Sequence, residues 1–226
     1  NGALGWNLSR ESASAPASVT GALSQADLHK LTGSLGVSHE LGRIGLRLRT
    51  NLERSAYGDA TSSTGAAVSQ SDRSNNLAGL TLRAGYEISP AITPFIEGEL
   101  GRRVFDNETD SFGLERSATR YAARAGVEVD LGEKLRGDVA VGYLIENIDD
   151  ANLEDVSGLS LAGNLVWSPL RGTDVNFNAS TTVEGSSSAT SSGSLLHALS
   201  LAVNHKARDN LDLNASLGAS FRDYSS

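Results

Sequence analysis

From Leu28 to the C-terminus, stretches of roughly 10 to 14 residues that are apolar at every second position follow one another, the length of strands that cross a bilayer. The joins between them alternate. Tight ones fall at Glu40 to Arg43, Ser89 to Thr93, Gly132 to Lys134, Ser168 to Gly172 and Lys206 to Asn210. Long polar ones fall at Gly58 to Asn76, Asp106 to Ser117, Ile148 to Val156 and Gly185 to Gly193. An up-and-down barrel has this arrangement, with tight periplasmic turns at one rim and longer external loops at the other. The expected fold is therefore all-β, an antiparallel up-and-down transmembrane β-barrel in a bacterial outer membrane.

Composition agrees with that expectation. The 226 residues are 39% hydrophobic, with 24 Gly, no Cys and no Met, and no run of 18 apolar residues occurs, so helical membrane spans are excluded. A barrel strand escapes this test because only alternate residues meet lipid. The absence of Cys fits an exported chain. No leader is visible before Asn1, so any signal peptide is expected to lie outside this segment. A net charge of -8 without a basic run argues against a nucleic-acid partner.

The parity of each stretch assigns its faces. Ile44, Leu46, Leu48, Thr50 and Leu52 oppose Arg47, Arg49, Asn51 and Glu53, and Leu80, Leu82, Ala84 and Tyr86 oppose Thr81, Arg83, Gly85 and Glu87. Val175, Phe177, Ala179, Thr181 and Val183 likewise oppose Asp174, Asn176, Asn178, Ser180 and Thr182. Leu48, Leu82, Val127, Val141 and Leu201 are thus expected to face lipid. Pro94 to Phe105 is less regular, because Phe95 and Phe105 fall with Glu97, Glu99 and Arg103, and a bulge is expected there. Tyr57, Tyr121, Tyr143 and Phe221 near one rim, with Tyr86 and Trp167 near the other, are read as interfacial girdles.

Residues 1–10, with Leu4, Trp6 and Leu8, read as the end of an earlier strand that leads into a loop from Glu11 to Ala26. About ten further strands fill residues 28–224 by this period count. Single-chain bacterial barrels have even strand numbers, so the expectation is one domain over residues 1–226. It would be an incomplete view of a barrel of at least 12 strands, since the sequence stops at Phe221-Arg222-Asp223-Tyr224 where a loop should begin.

The polar faces carry the candidate chemistry. Arg47, Arg49, Arg83, Arg103 and Arg124, with Glu97, Glu99, Glu128 and Asp138, come from neighbouring strands and are expected to line a shared interior. Facing rows of opposite charge would set up a transverse field in a pore. The same charges would alternatively pair as cross-strand ladders that brace the interior. The strands from Ser157 to Tyr224 offer Ser, Asn and Asp instead, a wall suited to hydrated sugars and equally to any wet surface. No catalytic, metal or cofactor residues are expected. His29, His39, His197 and His205 lack a fixed nucleophile or acid beside them, and the acidic loop at Asp106, Glu108 and Asp110 lacks the Gly and terminal Glu of a calcium loop.

Three segments carry a family resemblance: Tyr86 to Pro90 with Ile92 to Phe95, Leu131 to Leu135 leading into Val141-Gly142-Tyr143, and Val156 to Ser160 ending at Trp167-Ser168-Pro169. In this order and spacing the chain from Leu77 onward resembles the β-barrel porin 2 family of proteobacterial outer-membrane proteins. The resemblance implies an outer-membrane barrel without catalytic residues and an association with exopolysaccharide export. The function expected is a porin-like passive channel for hydrophilic solutes. The alternative is a structural or assembly barrel, plugged or partner-filled, that anchors a surface or secretion complex. The partners expected are outer-membrane lipid and lipopolysaccharide, with polysaccharide or export-complex proteins.

Overall fold

The computed structural model describes residues 2–10, 22–185 and 192–224. Its main sheet has eleven strands, each paired antiparallel with the next. They are β1 (Gly2–Arg10), β2 (Asp27–Leu41), β3 (Ile44–Tyr57), β6 (Asn75–Tyr86), β7 (Ile92–Phe105), β8 (Ala118–Asp130), β9 (Leu135–Ile148), β10 (Val156–Leu170), β11 (Thr173–Gly185), β12 (Gly193–Arg208) and β13 (Leu211–Tyr224). Within the long join after β3, β4 (Ala60–Thr61) and β5 (Ala67–Val68) form a small hairpin, followed by a single 3₁₀ turn at Ser71–Arg73. No α-helix occurs among the described residues. Parts of two expected loops, 11–21 and 186–191, lie outside them.

The tight joins are real hairpin turns. Between Leu41 and Ile44 only Gly42 and Arg43 intervene, and Gly42 has φ +64°, the left-handed geometry that matches a two-residue hairpin turn to strand twist. No pairing among the described residues joins β1 to β13, so the sheet is open. Eleven alternating strands leave β1 and β13 running in the same direction. Antiparallel closure therefore takes an odd number of further strands, and twelve is the smallest closed barrel of this sheet.

Alternation sorts the side chains as expected over most of the sheet. Leu48, Leu82, Val141 and Leu201 are exposed on the outward face, at 44%, 54%, 53% and 40%, and Val127 on the same face is half-buried. Tyr86, Tyr121, Tyr143, Trp167 and Phe221 also point outward, each about half exposed. Above this apolar band, toward the long-loop rim, two outward arginines are clamped by carboxylates: Arg54 by both oxygens of Asp106, and Arg102 by both oxygens of Asp149.

Three expectations need correction. β7 carries no bulge, because its register runs unbroken against both β6 and β8. Phe95 is inward and buried at 4%, lying opposite Gly85 on one neighbour and Gly126 on the other. A Cβ on Gly126 would stand 2.6 Å from the Phe95 ring, so the glycine makes room for the aromatic. Tyr57 is not part of an outward girdle: it shares parity with Glu53 and Ser55, and the Arg73 guanidinium lies 4.3 Å over its ring.

The third correction concerns β11 and β12. β11 pairs with β10 only as far as Ser180, and beyond that point the sheet folds back on itself. Val183 and Leu195 have outward parity, yet they are buried with Ala122, Leu144 and Val156 from the inward face of β8, β9 and β10. Gly158 permits this approach, since a Cβ there would stand 2.6 Å from the Leu195 side chain. Beside this contact His197 is buried at 3%, hydrogen-bonded to Thr181 Oγ1 and stacked on Phe221.

Candidate functional site

The inward face owes its electrostatics to register. Arg47 lies opposite Arg83, Arg83 opposite Glu97, Glu97 opposite Arg124, Arg124 opposite Gly142, and Gly142 opposite Ser160. Two rows nearer the tight turns, Glu128 lies opposite Asp138. Like charges placed side by side repel. Here the repulsions cancel diagonally, because the arginine pair reaches across to the carboxylate pair.

Arg47 makes a two-pronged bond to Glu128 at 2.6 and 2.9 Å. Arg83 donates from Nε to Glu97 Oε2 at 2.8 Å and from Nη2 to Asp138 Oδ2 at 3.0 Å, while its planar head stacks 3.8 Å over the Phe95 ring. Arg124 donates to Glu97 Oε1 and Glu99 Oε2 on β7 at 2.8 and 2.7 Å, and from Nε to Ser160 Oγ on β10 at 2.7 Å. That last bond crosses β9 at Gly142, where a Cβ would stand 2.6 Å from the Arg124 Cα and closer still to the Ala123 carbonyl, so the β8 backbone itself requires the glycine. Seven expected residues are thus joined in one lattice: three guanidiniums against four carboxylates.

The two remaining expected residues lie apart from it. Arg103 is 3.3 Å from Glu146, which is also held by Arg120 Nε at 2.7 Å, and this second cluster sits closer to the long-loop rim. Arg49, exposed between Gly36 and Thr81, makes no ion pair among the described residues. Arg120, Glu146, Ser160 and Phe95 were not among the expected site residues. Parity alone would have found the first three, since Arg120 alternates with Arg124, and Glu146 and Ser160 share the inward faces of β9 and β10.

At the long-loop rim a second kind of clasp orders the segment between β7 and β8. Burial pushes the Asp110 carboxyl up, but the Arg116 guanidinium and the backbone N–H groups of Leu114 and Phe112 outweigh it and hold it below the ordinary carboxylate range. A group whose folded pKa is depressed contributes stability above its unfolded pKa and loses it as pH falls through the folded value. Residues 106–117 should therefore resist proteolysis at neutral pH and become cleavable as pH drops below about 4. Asp110→Asn should weaken that pH dependence without abolishing it, since Asp106 on Arg54 and Asp150 on the Glu115 N–H hold the same segment, and a cleavage rate that stays flat in the parent would show the clasp to be without effect.

An open antiparallel meander with an apolar outward face and a charged, hydrogen-bonded inward face defines the wall of a β-barrel whose interior is polar. The chain belongs to the family described as Putative beta-barrel porin 2, which it matches over residues 1–226. No match was found among curated proteins or among solved structures. The expectation drawn from the resemblance covered the chain from Leu77 onward, and the family match extends it to the first strands. Porin families suggest an outer-membrane location.

Proposed function

We propose that this protein is a non-enzymatic outer-membrane channel that lets hydrophilic solutes pass along the inward face of its barrel. The observation that supports this most is the sidedness of the strands: apolar residues outward, and on the inner side a wall of ion pairs, Asn and Ser. Arg47, Arg49, Arg83, Arg103 and Arg124, with Glu97, Glu99, Glu128 and Asp138, line the passage in this reading. Because every guanidinium of the lattice around Arg83 and Arg124 is paired, with one carboxylate charge left over, it acts mainly as a brace, and Arg49 is an inward, exposed guanidinium with no ion pair among the described residues. Outer-membrane lipid and lipopolysaccharide are the surroundings of the barrel, polysaccharide-export proteins are its proposed associates, and no nucleic acid is involved.

Reconstitution into planar bilayers tests the reading. Steady conductance is expected, and Arg49→Gln should shift selectivity toward cations at low salt, with the shift fading as the Debye length falls from about 10 Å at 0.1 M to 3 Å at 1 M. Unchanged reversal potentials would remove Arg49 from the passage. For topology, trypsin added to intact cells should cut within 58–74 and spare Lys134 in its tight turn. Cleavage at Lys134 alone would invert the barrel.

One observation favours a second reading, a plugged structural barrel. The upper parts of β11 and β12 lie against the inward face of β8 to β10 through Val183 and Leu195, which narrows the interior on that side. An absence of conductance in the parent, regained in a Val183→Ser, Leu195→Ser variant, would support the plugged form.

A further inference from the structure

Between the Arg124 lattice and the long-loop rim, two inward glycines stand side by side in register, Gly79 on β6 and Gly101 on β7. With no side chains there, the interior keeps a hollow of about 450 Å³, large enough for a small ligand. Asn51, Glu53, Glu99 and Arg120 are among the residues that line it. A Cβ on Gly79 would meet nothing closer than 3.9 Å, so this glycine is not required by backbone crowding.

Every charged group in the lining already has a counter-ion within the protein. Glu53 is 2.9 Å from Lys30, Glu99 is 2.7 Å from Arg124, and Arg120 is 2.6 Å from Glu146. An ionic ligand would have to compete with these pairs. A neutral hydroxyl does not, because a carboxylate retains free lone pairs and a guanidinium offers five donors. Hydroxyls that both donate and accept suit Glu53, Glu99, Arg120 and the Asn51 amide together. The glycine backbone and Leu77 offer a flat, weakly polar surface to the C–H face of a ring.

We propose that the hollow over Gly79 and Gly101 binds a neutral polyhydroxyl solute of about the size of one sugar ring. The proposal rests on the reading that the inward face is open to solute, and it is tested without transport. D-glucose is titrated by ligand-observed NMR into the parent refolded in detergent, with the electrophoretic shift of the folded barrel as a check on each variant. Saturable binding is expected, weakened at least about tenfold by Gly79→Leu, which fills the hollow, and severalfold by Asn51→Ala. Gly98→Leu, at an outward position with nothing within 4 Å, should leave it unchanged. Raising salt to about 0.5 M should leave it unchanged too, as a neutral ligand requires. Absence of saturable binding in the parent, equal binding by folded Gly79→Leu, or displacement of glucose by chloride would each overturn the proposal. Binding without conductance would leave the site standing and remove the channel, whereas conductance without binding would remove the site alone.

Discussion

Arg124→Ala is expected to destabilise the barrel by about 3–5 kcal/mol, the cost of breaking a buried pair by removing one partner. The Arg124 side chain is 10% exposed, Glu97 8% and Glu99 19%, and Ser160 is fully buried, so truncation strands two carboxylates and a hydroxyl without water to replace the guanidinium. Arg83 still holds one oxygen of Glu97, which keeps the loss from being larger. Arg47→Ala is the internal control, since its side chain is 51% exposed and an exposed pair is worth about 0–1 kcal/mol. Arg124→Lys should recover only part of the loss, because one ammonium cannot reach β7 on one side and β10 on the other. The measurement is urea unfolding in lipid vesicles. Equal costs for Arg124→Ala and Arg47→Ala would show the lattice to be ornamental.

The second large effect is a contrast between two neighbours on β6. Leu82→Arg places a charge on the outward face and is expected to cost about 2–4 kcal/mol near the bilayer midplane, whereas an arginine facing the interior meets water and carboxylates. Thr81→Arg, one residue away and inward between Glu99 and Arg49, should cost far less, the repulsion from Arg49 being offset by Glu99 on the other side. The difference between the two variants, more than either value, tests which face meets lipid. If both were tolerated equally in vesicles, the outward face would not be a membrane face.

Much of this could be read from period and turn spacing. The pairing of Arg83 with Glu97 follows once β6 and β7 are joined by a turn near Ser89, because the turn fixes the register and the register fixes who faces whom. Phe95 was misread for a physical reason: an aromatic among charged residues suggests a broken pattern, whereas here flanking glycines and a stacked arginine give it an inward place. The burial of Val183 and Leu195 was beyond reach. Parity says which side of its own strand a residue takes, and it does not say that the sheet will fold so that an outward side meets an inward one. The isolation of Arg49 was not legible either, because strand position alone does not tell which of several carboxylates a long side chain will reach.

The two outward clamps, Arg54 with Asp106 and Arg102 with Asp149, also set a waterline. On β3 the apolar outward run from Ile44 to Leu52 ends two residues short of Arg54, and on β7 the run from Ile92 to Leu100 ends two short of Arg102. Eight residue steps span about 27 Å along a strand. At the tilt usual for such barrels that is about 20 Å measured across the bilayer. Sinking the clamps into hydrocarbon would desolvate two charge pairs, and lifting the strands would expose leucines. The protein is thereby matched to a thin hydrocarbon layer, and thicker membranes would have to thin around it or lose it.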